Sequence, residues 1–293
     1  MPSWTAEADW PVAWTNIYFS PIVLSGSDHI VYVGGRDLTN FYKYNISTDT
    51  WTAITASPGA ILGAISMSPD GTKLAAHAGN GNVLFIYNIA GDSWTSSSGA
   101  PTIGGSTSMI QRIVWADNDT IWCLARSGVG PLTAKCLKYV VSTDTWTQYT
   151  NSMTTSYGNA DGMGISPDGA TLYFNKCGST AWGISKYVIS TDTYTVDTIS
   201  LGSGYYPTLT SDRNRLWYGL EASSKPQITS YIDLSDESLV TDVFPTYADR
   251  TVVSNLSAGV YGTTIAIVWY RTTETKNWSY FTESPFTPRI FII

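Results

Sequence analysis

One short phrase recurs through this chain at nearly regular intervals. In its clearest form it consists of a Tyr, a Ser-Thr-Asp-Thr stretch and a Trp-Thr pair. Copies start at Tyr44, Tyr87, Tyr139 and Tyr187, and a degenerate copy starts at Tyr231. Successive tyrosines are 43, 52, 48 and 44 residues apart. Self-similarity with a period of about 40–50 residues is the signature of a repeat architecture, so this spacing constrains the fold more than any other feature of the chain.

A second repeated unit precedes each phrase: an apolar strand, a tight turn and another strand. The turn is Ser-Pro-Asp-Gly at 68–71 and again at 166–169, and Asp-Asn-Asp occupies the same place at 117–119. Pro presets φ, Asp bonds back to the backbone and Gly tolerates a positive φ, so these segments are predicted to be tight turns. Six such hairpins can be identified, one more than the tyrosine phrases.

Hairpin and phrase together give four short antiparallel strands per repeat. We name these A to D, with the phrase supplying the Tyr of strand C, the C–D turn and the Trp of strand D. Four antiparallel strands in a repeat of this length predict a propeller blade. The expected fold class is therefore all-β, a single six-bladed β-propeller of four-stranded antiparallel blades. We expect one domain over residues 1–293, with blades at about 18–56, 60–99, 110–151, 161–199, 206–243 and 255–285 and an N-terminal strand at 10–17.

The sixth repeat lacks its outer strand, and the start of the chain offers a replacement. Residues 14–21 (Trp-Thr-Asn-Ile-Tyr-Phe-Ser-Pro) resemble residues 51–58 (Trp-Thr-Ala-Ile-Thr-Ala-Ser-Pro). We therefore expect the N-terminal strand to complete the last blade and close the ring. The apolar tail at 289–293 is expected to pack on the ring or on a partner.

The first repeat carries a family resemblance. A strand that starts at His29 ends in the pair Gly34-Gly35, and Tyr44 and Trp51 follow. This order resembles a kelch motif, and the resemblance extends over residues 22–231 in repeats of uneven quality. It implies a propeller fold and, for most kelch-like propellers, a role as an interaction platform, with enzymes in the minority.

Composition and charge exclude several function classes. The net charge is −7 without a basic run, which argues against nucleic-acid partners. No stretch approaches the roughly 20 apolar residues of a membrane helix, and the N-terminus lacks the pattern of a signal peptide. The compartment is unknown on this basis, and a virion or another assembly built in the cytoplasm fits. Cys123, Cys136 and Cys177 cannot form a closed set of disulfides, so buried free thiols are expected.

Residues that recur in every repeat are interpreted as structural. A residue that each blade needs packs between blades or caps a turn, and this applies to the repeated Tyr, Trp and Asp. No ligand motif surrounds His29 or His77, so no metal and no cofactor are expected. We accordingly predict no catalytic residues and no enzymatic activity.

Function is expected where the repeats differ, in the B–C loops and in the connections between blades. Tyr, Arg and Trp dominate recognition surfaces, and loops carry function more often than strands. The candidate binding residues are Arg36, Asp37, Arg126, Tyr157, Asp161, Trp182, Tyr205, Tyr206, Glu221, Arg250 and Arg271.

Three functions remain open from the sequence. The favoured one is a rigid platform for protein partners in a larger assembly, such as a phage tail or virion, with a homo-oligomer among the alternatives. The second is a lectin-like module that recognises glycans. The third is a glycan-cleaving enzyme, which requires two converging carboxylates such as Asp161 and Glu221.

Overall fold

The regular structure of this chain is entirely β in the residues that the computed structural model describes. These residues are 5–6, 22–24, 30–34, 39–59, 61–78, 81–127, 133–150, 153–154, 162–175, 182–202, 209–211, 215–222, 225–240, 257–261, 264–269 and 289–292. Their strands form antiparallel sheets of four strands, one of which carries a fifth strand. Repeated four-stranded antiparallel sheets are the arrangement of a β-propeller.

The first five sheets each follow the chain order from strand A to strand D. The first contains β2 (Ile22–Leu24), β3 (Ile30–Gly34), β4 (Phe41–Asn45) and β5 (Thr50–Ile54). The second contains β6 (Ile61–Met67), β7 (Lys73–Ala78), β8 (Leu84–Asn88) and β9 (Ser93–Ser96). In the third lie β10 (Ser108–Trp115), β11 (Thr120–Ser127), β12 (Thr133–Val140) and β13 (Thr145–Gln148), and β14 (Met153–Thr154) also pairs with β12.

The fourth and fifth sheets keep the same order. Strands β15 (Met163–Ile165), β16 (Thr171–Asn175), β17 (Trp182–Val188) and β18 (Thr193–Gly202) form the fourth. Strands β19 (Leu209–Ser211), β20 (Arg215–Ala222), β21 (Lys225–Asp233) and β22 (Leu239–Val240) form the fifth.

The last sheet combines the two ends of the chain. It contains β23 (Ser257–Tyr261), β24 (Thr264–Trp269), β25 (Arg289–Ile292) and β1 (Thr5–Ala6), in the order β1-β25-β24-β23. Thr5 pairs with Ile292, and Ala6 pairs with Phe291.

This sheet corrects the expectation for the C-terminal tail. The tail at 289–292 is the third strand of the sheet and pairs along β24, whereas we had expected it to pack on the ring or on a partner. A run of apolar residues and backbone pairing make the tail a strand even though it lacks the tyrosine phrase. The N-terminal strand that pairs with it is Thr5–Ala6, and the expected strand at 10–17 lies outside the described residues.

The repeated phrase folds as a C–D hairpin, as predicted. Its aromatic residues are direct cross-strand partners: Tyr44 with Trp51, Tyr87 with Trp94, and Tyr139 with Trp146. The ring centroids of these pairs are 4.8, 4.9 and 4.6 Å apart. Cross-strand aromatic pairs stabilise a hairpin, so the periodic Tyr and Trp set the register of strands C and D.

The core lies between consecutive sheets. Tyr32 and Phe41 of the first sheet pack with Leu74 and Tyr87 of the second, and Trp94 covers them. Similar clusters join the second sheet to the third, the third to the fourth and the fourth to the fifth. Strand A of each sheet also contacts strand A of the next. The second, third and fourth sheets therefore bury both faces against their neighbours, which a single blade cannot do alone.

The cysteines that the structure describes are buried free thiols, as expected. Cys123 lies on β11 and Cys136 on the adjacent β12. Burial raises the pKa of both thiols, which keeps them protonated and unreactive. Among the described residues, no helix is long and apolar enough to cross a membrane.

Candidate interaction surface

The antiparallel sheets give the molecule two chemically different ends. The A–B and C–D turns lie at one end, which we call the turn end. The B–C loops and the connections between sheets lie at the other, which we call the loop end. The repeats are similar at the turn end and differ at the loop end, so the two ends are considered separately.

The repeated Asp at the turn end links neighbouring sheets. The Tyr87 hydroxyl donates to Asp92 Oδ1 over 2.6 Å, and the same oxygen accepts the N–H of Thr55 from the preceding sheet at 2.9 Å. Trp94 Nε1 completes the contact by donating to the carbonyl of Thr55 at 2.9 Å. Tyrosine, Asp and Trp of one phrase together hold the backbone of a single residue in the sheet before it. We call this arrangement the Tyr–Asp latch.

The latch recurs with small changes in the next two sheets. Asp144 accepts from the Tyr139 hydroxyl at 2.8 Å and from the N–H of Ser98 at 2.8 Å, and Trp146 Nε1 donates to the carbonyl of Ser98. In the fourth sheet, Tyr194 replaces the Trp. There the hydroxyl of Thr150 donates to Asp192 Oδ2 at 2.5 Å, in addition to the Thr150 N–H.

The latch shifts the titration of its members. The Tyr87 hydroxyl and the Thr55 N–H lower the pKa of Asp92. The pKa of Asp144 is lowered chiefly by the N–H of Ser98 and then by Tyr139. Burial, followed by the bond to Asp92, raises the pKa of Tyr87. The pKa shifts of both Asp residues come from a Tyr hydroxyl and a backbone N–H, which fits the interpretation of the repeated Asp as a capping residue.

The turn that carries the latch also requires an unusual backbone conformation. Asp49, Asp92, Asp144 and Asp192 have φ values of 51°, 43°, 50° and 50°. Asp tolerates the left-handed region better than most residues, because its short carboxylate can bond locally. The phrase therefore selects Asp both for its backbone and for its two acceptor oxygens.

The fifth sheet replaces the latch with an ion pair. Glu237 has a φ of 61° and reaches back to the fourth sheet, where Lys186 Nζ donates to Glu237 Oε2 and the Tyr173 hydroxyl donates to Oε1 at 3.1 Å. The link between consecutive sheets is thus kept, although the phrase has lost its regular form.

The A–B turns join the same network. Ser68, which is buried, donates from Oγ to Asp70 at 2.7 Å and accepts the N–H of Lys73 at 2.9 Å. The backbone N–H of Asp70 and the ammonium of Lys73 both bond to Asn118 in the third sheet. The polar groups described at the turn end are therefore largely engaged in holding the sheets together.

The sequence nominated eleven residues for binding, and the structure describes three of them. Three of them, which we expected in B–C loops, lie in strands: Arg126 in β11, Trp182 in β17 and Glu221 in β20. The strands are longer than predicted at this end, and the ladder of β20 and β21 runs up to the pair Ala222–Lys225, which leaves only two residues between them. The others lie outside the described residues: Arg36, Asp37, Tyr157, Asp161, Tyr205, Tyr206, Arg250 and Arg271.

Three buried polar atoms in the described part of the third sheet have no hydrogen-bond partner: Arg126 Nε, Ser108 Oγ and Gln148 Oε1. Ser108 starts strand A and Arg126 lies near the end of strand B, so these two lie at the loop end, although on opposite faces of the sheet. Gln148 pairs with Leu137 in the middle of strand C. Sequence reasoning selected Arg126 but missed Ser108 and Gln148, because burial without a partner leaves no trace in a sequence.

The described residues contain no candidate metal-binding site. No group of three or more His, Cys, Asp or Glu side chains is positioned to hold an ion there. His77 is buried, and its Nε2 lies 3.1 Å from the carbonyl of Gln111 in the next sheet. Because a carbonyl only accepts, Nε2 carries a proton in this contact.

Comparison with known proteins shows the fold. No protein-family model and no curated protein sequence matches the chain. Among solved structures, a luciferin-regenerating enzyme matches with a TM-score of 0.61 and 12% identity, over 99% of this chain and 95% of that one. A chain of a nidogen/laminin complex matches with a TM-score of 0.56 and 12% identity, over 77% of this chain and 80% of that one. A chain of a mitotic checkpoint complex matches with a TM-score of 0.53 and 12% identity, over 92% of this chain and 78% of that one.

These comparisons correct the prediction that the chain is not an enzyme. An enzyme has the same fold over nearly the whole chain, so neither the repeat nor the lack of a familiar motif supports that prediction. The reason is physical: a propeller supplies a rigid frame, and its chemistry comes from loop residues that the repeat does not specify. At 12% identity the similarity establishes the fold, a β-propeller.

Proposed function

We propose that this chain is a single-domain platform for protein–protein interaction, with its loop end as the binding surface. The frame that we propose is a six-bladed β-propeller over residues 1–293, closed by its N-terminal strand. Its setting is a larger assembly, for which the low charge and the abundance of Thr, Ser, Tyr and Trp suggest a virion. The kelch-like order of the first repeat is consistent with such a platform.

Contacts between strands support the closed ring. The inner strands touch in the order β2, β6, β10, β15, β19 and β23, and β23 touches β2. The pairing of β1 with β25 joins the first and last strands of the chain in one sheet. A ring closed in this way gives the loop end a fixed shape, which lowers the entropy lost when a partner binds.

The difference between the two ends is the observation that carries the proposal. The turn end uses its Asp, Ser and Trp groups in bonds between sheets, as the Tyr–Asp latch illustrates. The loop end of the third sheet leaves two buried polar atoms unpartnered among the described residues, Arg126 Nε and Ser108 Oγ. Buried polar groups are normally satisfied, so atoms left unsatisfied at one end favour a partner that binds there.

The structural neighbours agree with this assignment. One belongs to a nidogen/laminin complex and another to a mitotic checkpoint complex, both of which are assemblies of proteins. Propellers of this kind present their loops to partners while the sheets stay fixed.

Site-specific photocrosslinking in the native assembly tests the proposal. A photoreactive phenylalanine replaces Tyr157 or Tyr206, which the repeat pattern predicts to lie in connections between blades. In separate controls it replaces Thr48 or Thr143, which are exposed at the turn end. We expect one partner protein to be crosslinked from the loop-end positions only, and unlabelled chain to compete for it. Equal crosslinking from both ends, or from the turn end alone, would contradict the proposal.

A glycan array and soluble polysaccharides provide the second arm of this test. Binding to a saccharide without a protein crosslink would replace the proposal with the lectin-like alternative. Cleavage of a saccharide would make the loop end an active site.

A further inference from the structure

We propose that Arg126 is the anchor point for a carboxylate of the partner, in a site between the third and fourth sheets at the loop end. This inference deepens the proposed function and rests on it. The site has not been inferred from any relative. It follows from the position, burial and missing partner of one guanidinium group.

The position of Arg126 follows from the alternation of side chains along β11. Trp122 and Leu124 belong to the cluster that packs against the fourth sheet, together with Met163 and Phe174. Residues two apart on a strand share a face, so Arg126 extends the same face by one step toward the loop end. Its cross-strand partners are Met109 on β10 and Ala134 on β12, neither of which offers an acceptor side chain.

Arg126 Nε has no hydrogen-bond acceptor within the described part of the chain. The side chain is half-buried, and its Nε is shielded from solvent without an acceptor. No acidic side chain among the described residues forms an ion pair with it; the ion pair that is described joins Lys186 to Glu237. A guanidinium carries five donors in a fixed plane and cannot lose its proton, so it requires an acceptor when it is desolvated.

A carboxylate fits this requirement best. Its two oxygens match two N–H donors of a guanidinium in a bidentate pair, and the Nη atoms of Arg126 are not among the buried unpartnered atoms. Lys135, at the same end of the third sheet, already donates to the carbonyl of Thr150, which leaves Arg126 to hold the ligand. The net charge of −7 disfavours a multiply charged phosphate more than a singly charged carboxylate. The other unpartnered buried atom at this end, Ser108 Oγ, lies on the opposite face of the sheet, toward the second sheet, so it is not part of this site.

Nuclear magnetic resonance of arginine-labelled protein tests the site directly. The full chain is labelled with ¹⁵N-arginine, and the Arg126 Nε–H signal is identified by its loss in Arg126→Lys. The protein is titrated with N-acetylglutamate N-methylamide, and the neutral N-acetylglutamine N-methylamide serves as the matched control. We expect a saturating shift of the Arg126 signal with the carboxylate alone, while the Arg112 signal, whose guanidinium already donates to the carbonyl of Gln111, stays in place. A shift that is absent, that is equal with the neutral compound or that is shared by Arg112 would overturn the inference.

A second experiment connects the site to the partner. The loop-end crosslink is measured in Arg126→Gln and in Lys135→Gln, which removes the same charge from the same end of the same sheet. We expect Arg126→Gln to weaken the crosslink about tenfold or more and Lys135→Gln to change it less than about twofold. An undiminished crosslink in Arg126→Gln would overturn this inference and leave the proposed function intact. A missing crosslink in the unmodified chain would remove the proposed function, and the titration would then decide the carboxylate site on its own.

The stability of Arg126→Gln separates a ligand site from a structural contact. Removal of a guanidinium that lacks a partner within the chain does not destabilise the fold. We therefore expect the urea midpoint of Arg126→Gln to equal or exceed that of the unmodified protein. A large loss of stability would identify Arg126 as a structural residue and overturn the proposal.

Discussion

At the scale of single residues, the repeated Asp illustrates how one position can serve two purposes. Asp92 occupies the left-handed backbone region with a φ of 43°, and its carboxylate joins two sheets. A substitution can remove the carboxylate with or without adding backbone strain, so the two purposes can be measured apart.

We predict that Asp92→Gly is more stable than Asp92→Ala by about 1 kcal/mol, although both lose the latch. Glycine accepts a positive φ without a Cβ penalty, whereas alanine does not, and the greater unfolded-state entropy of glycine offsets part of this gain. Urea unfolding of the two variants measures the difference. Equal midpoints would show that the hairpin relaxes out of the left-handed region.

The latch also makes stability depend on acid. The folded-state pKa values of Asp92 and Asp144 are lowered, so their contribution is present above the unfolded-state pKa of about 3.9 and is lost as the pH falls through the folded-state values. We predict that the double variant Asp92→Asn, Asp144→Asn is less stable at neutral pH and loses less further stability between about pH 5 and 2. Urea midpoints across this range test it, and parallel curves for the two proteins would contradict it.

The same residues show what the sequence can and cannot reveal. The tyrosine phrase predicted the C–D hairpin, because cross-strand aromatics and turn chemistry are local. It assigned the Asp to backbone capping, but it did not reveal that the capped N–H belongs to the preceding sheet, as with Asp144 and Ser98. Arg126 was nominated from its residue type alone. Its buried, unpartnered Nε depends on the packing of two sheets, which no local pattern encodes.

At the scale of elements, the A–B turns of the second and fourth sheets owe their form to one buried serine each. Ser68 and Ser166 each accept the N–H of the residue that starts the next strand and donate to the Asp two positions on. The hydroxyl therefore joins the Asp side chain inside the turn to the first N–H of the strand that follows it. Pro and Gly contribute only the backbone angles that the turn requires.

We predict that Ser68→Ala lowers the free energy of unfolding by about 1–3 kcal/mol, because it leaves the N–H of Lys73 without its side-chain acceptor. Ser190→Ala, at an exposed position in a C–D turn, is the control and should change it by less than about 0.5 kcal/mol. Chemical denaturation of both variants measures this. Comparable losses would mean that the serine hydroxyl adds nothing to the turn.

Elements without the phrase were the harder ones to predict. Strand β25 has neither Tyr nor Trp at the repeat positions, and its four residues follow a long connection after β24. Its pairing with β1 joins residues from opposite ends of the chain. Such a pair forms only when the whole sheet assembles, so no local sequence pattern predicts it. The likeness of residues 14–21 to residues 51–58 predicted an N-terminal strand in the last blade, and those residues lie outside the described part of the chain.

At the scale of the whole molecule, the sheets are linked in sequence from first to last. The second to fifth sheets each pack on the one before and hold it by a latch or, in the fifth sheet, by an ion pair. The β1–β25 pair is a different kind of link, because it consists of backbone pairing over two residues.

We predict that a disulfide between Thr5→Cys and Ile292→Cys, which are direct partners, forms within one molecule and stabilises it by about 4–5 kcal/mol. The bond would close a loop of nearly the full chain, for which the chain-entropy gain is largest. Non-reducing electrophoresis and thermal unfolding with and without reductant measure both effects. Thr5→Cys with Arg289→Cys, which are not partners, is the control, and a disulfide formed only between molecules would contradict the proposed closure.

The geometry of this pair has a mechanical consequence. Thr5 pairs with Ile292 and Ala6 with Phe291, so both chain ends leave the ladder from the same side. A force that separates the two ends therefore opens the pair by unzipping, one residue after the other, instead of shearing both at once. Under tension from its termini, the molecule should yield first between β1 and β25, while the bonds between consecutive sheets remain unloaded.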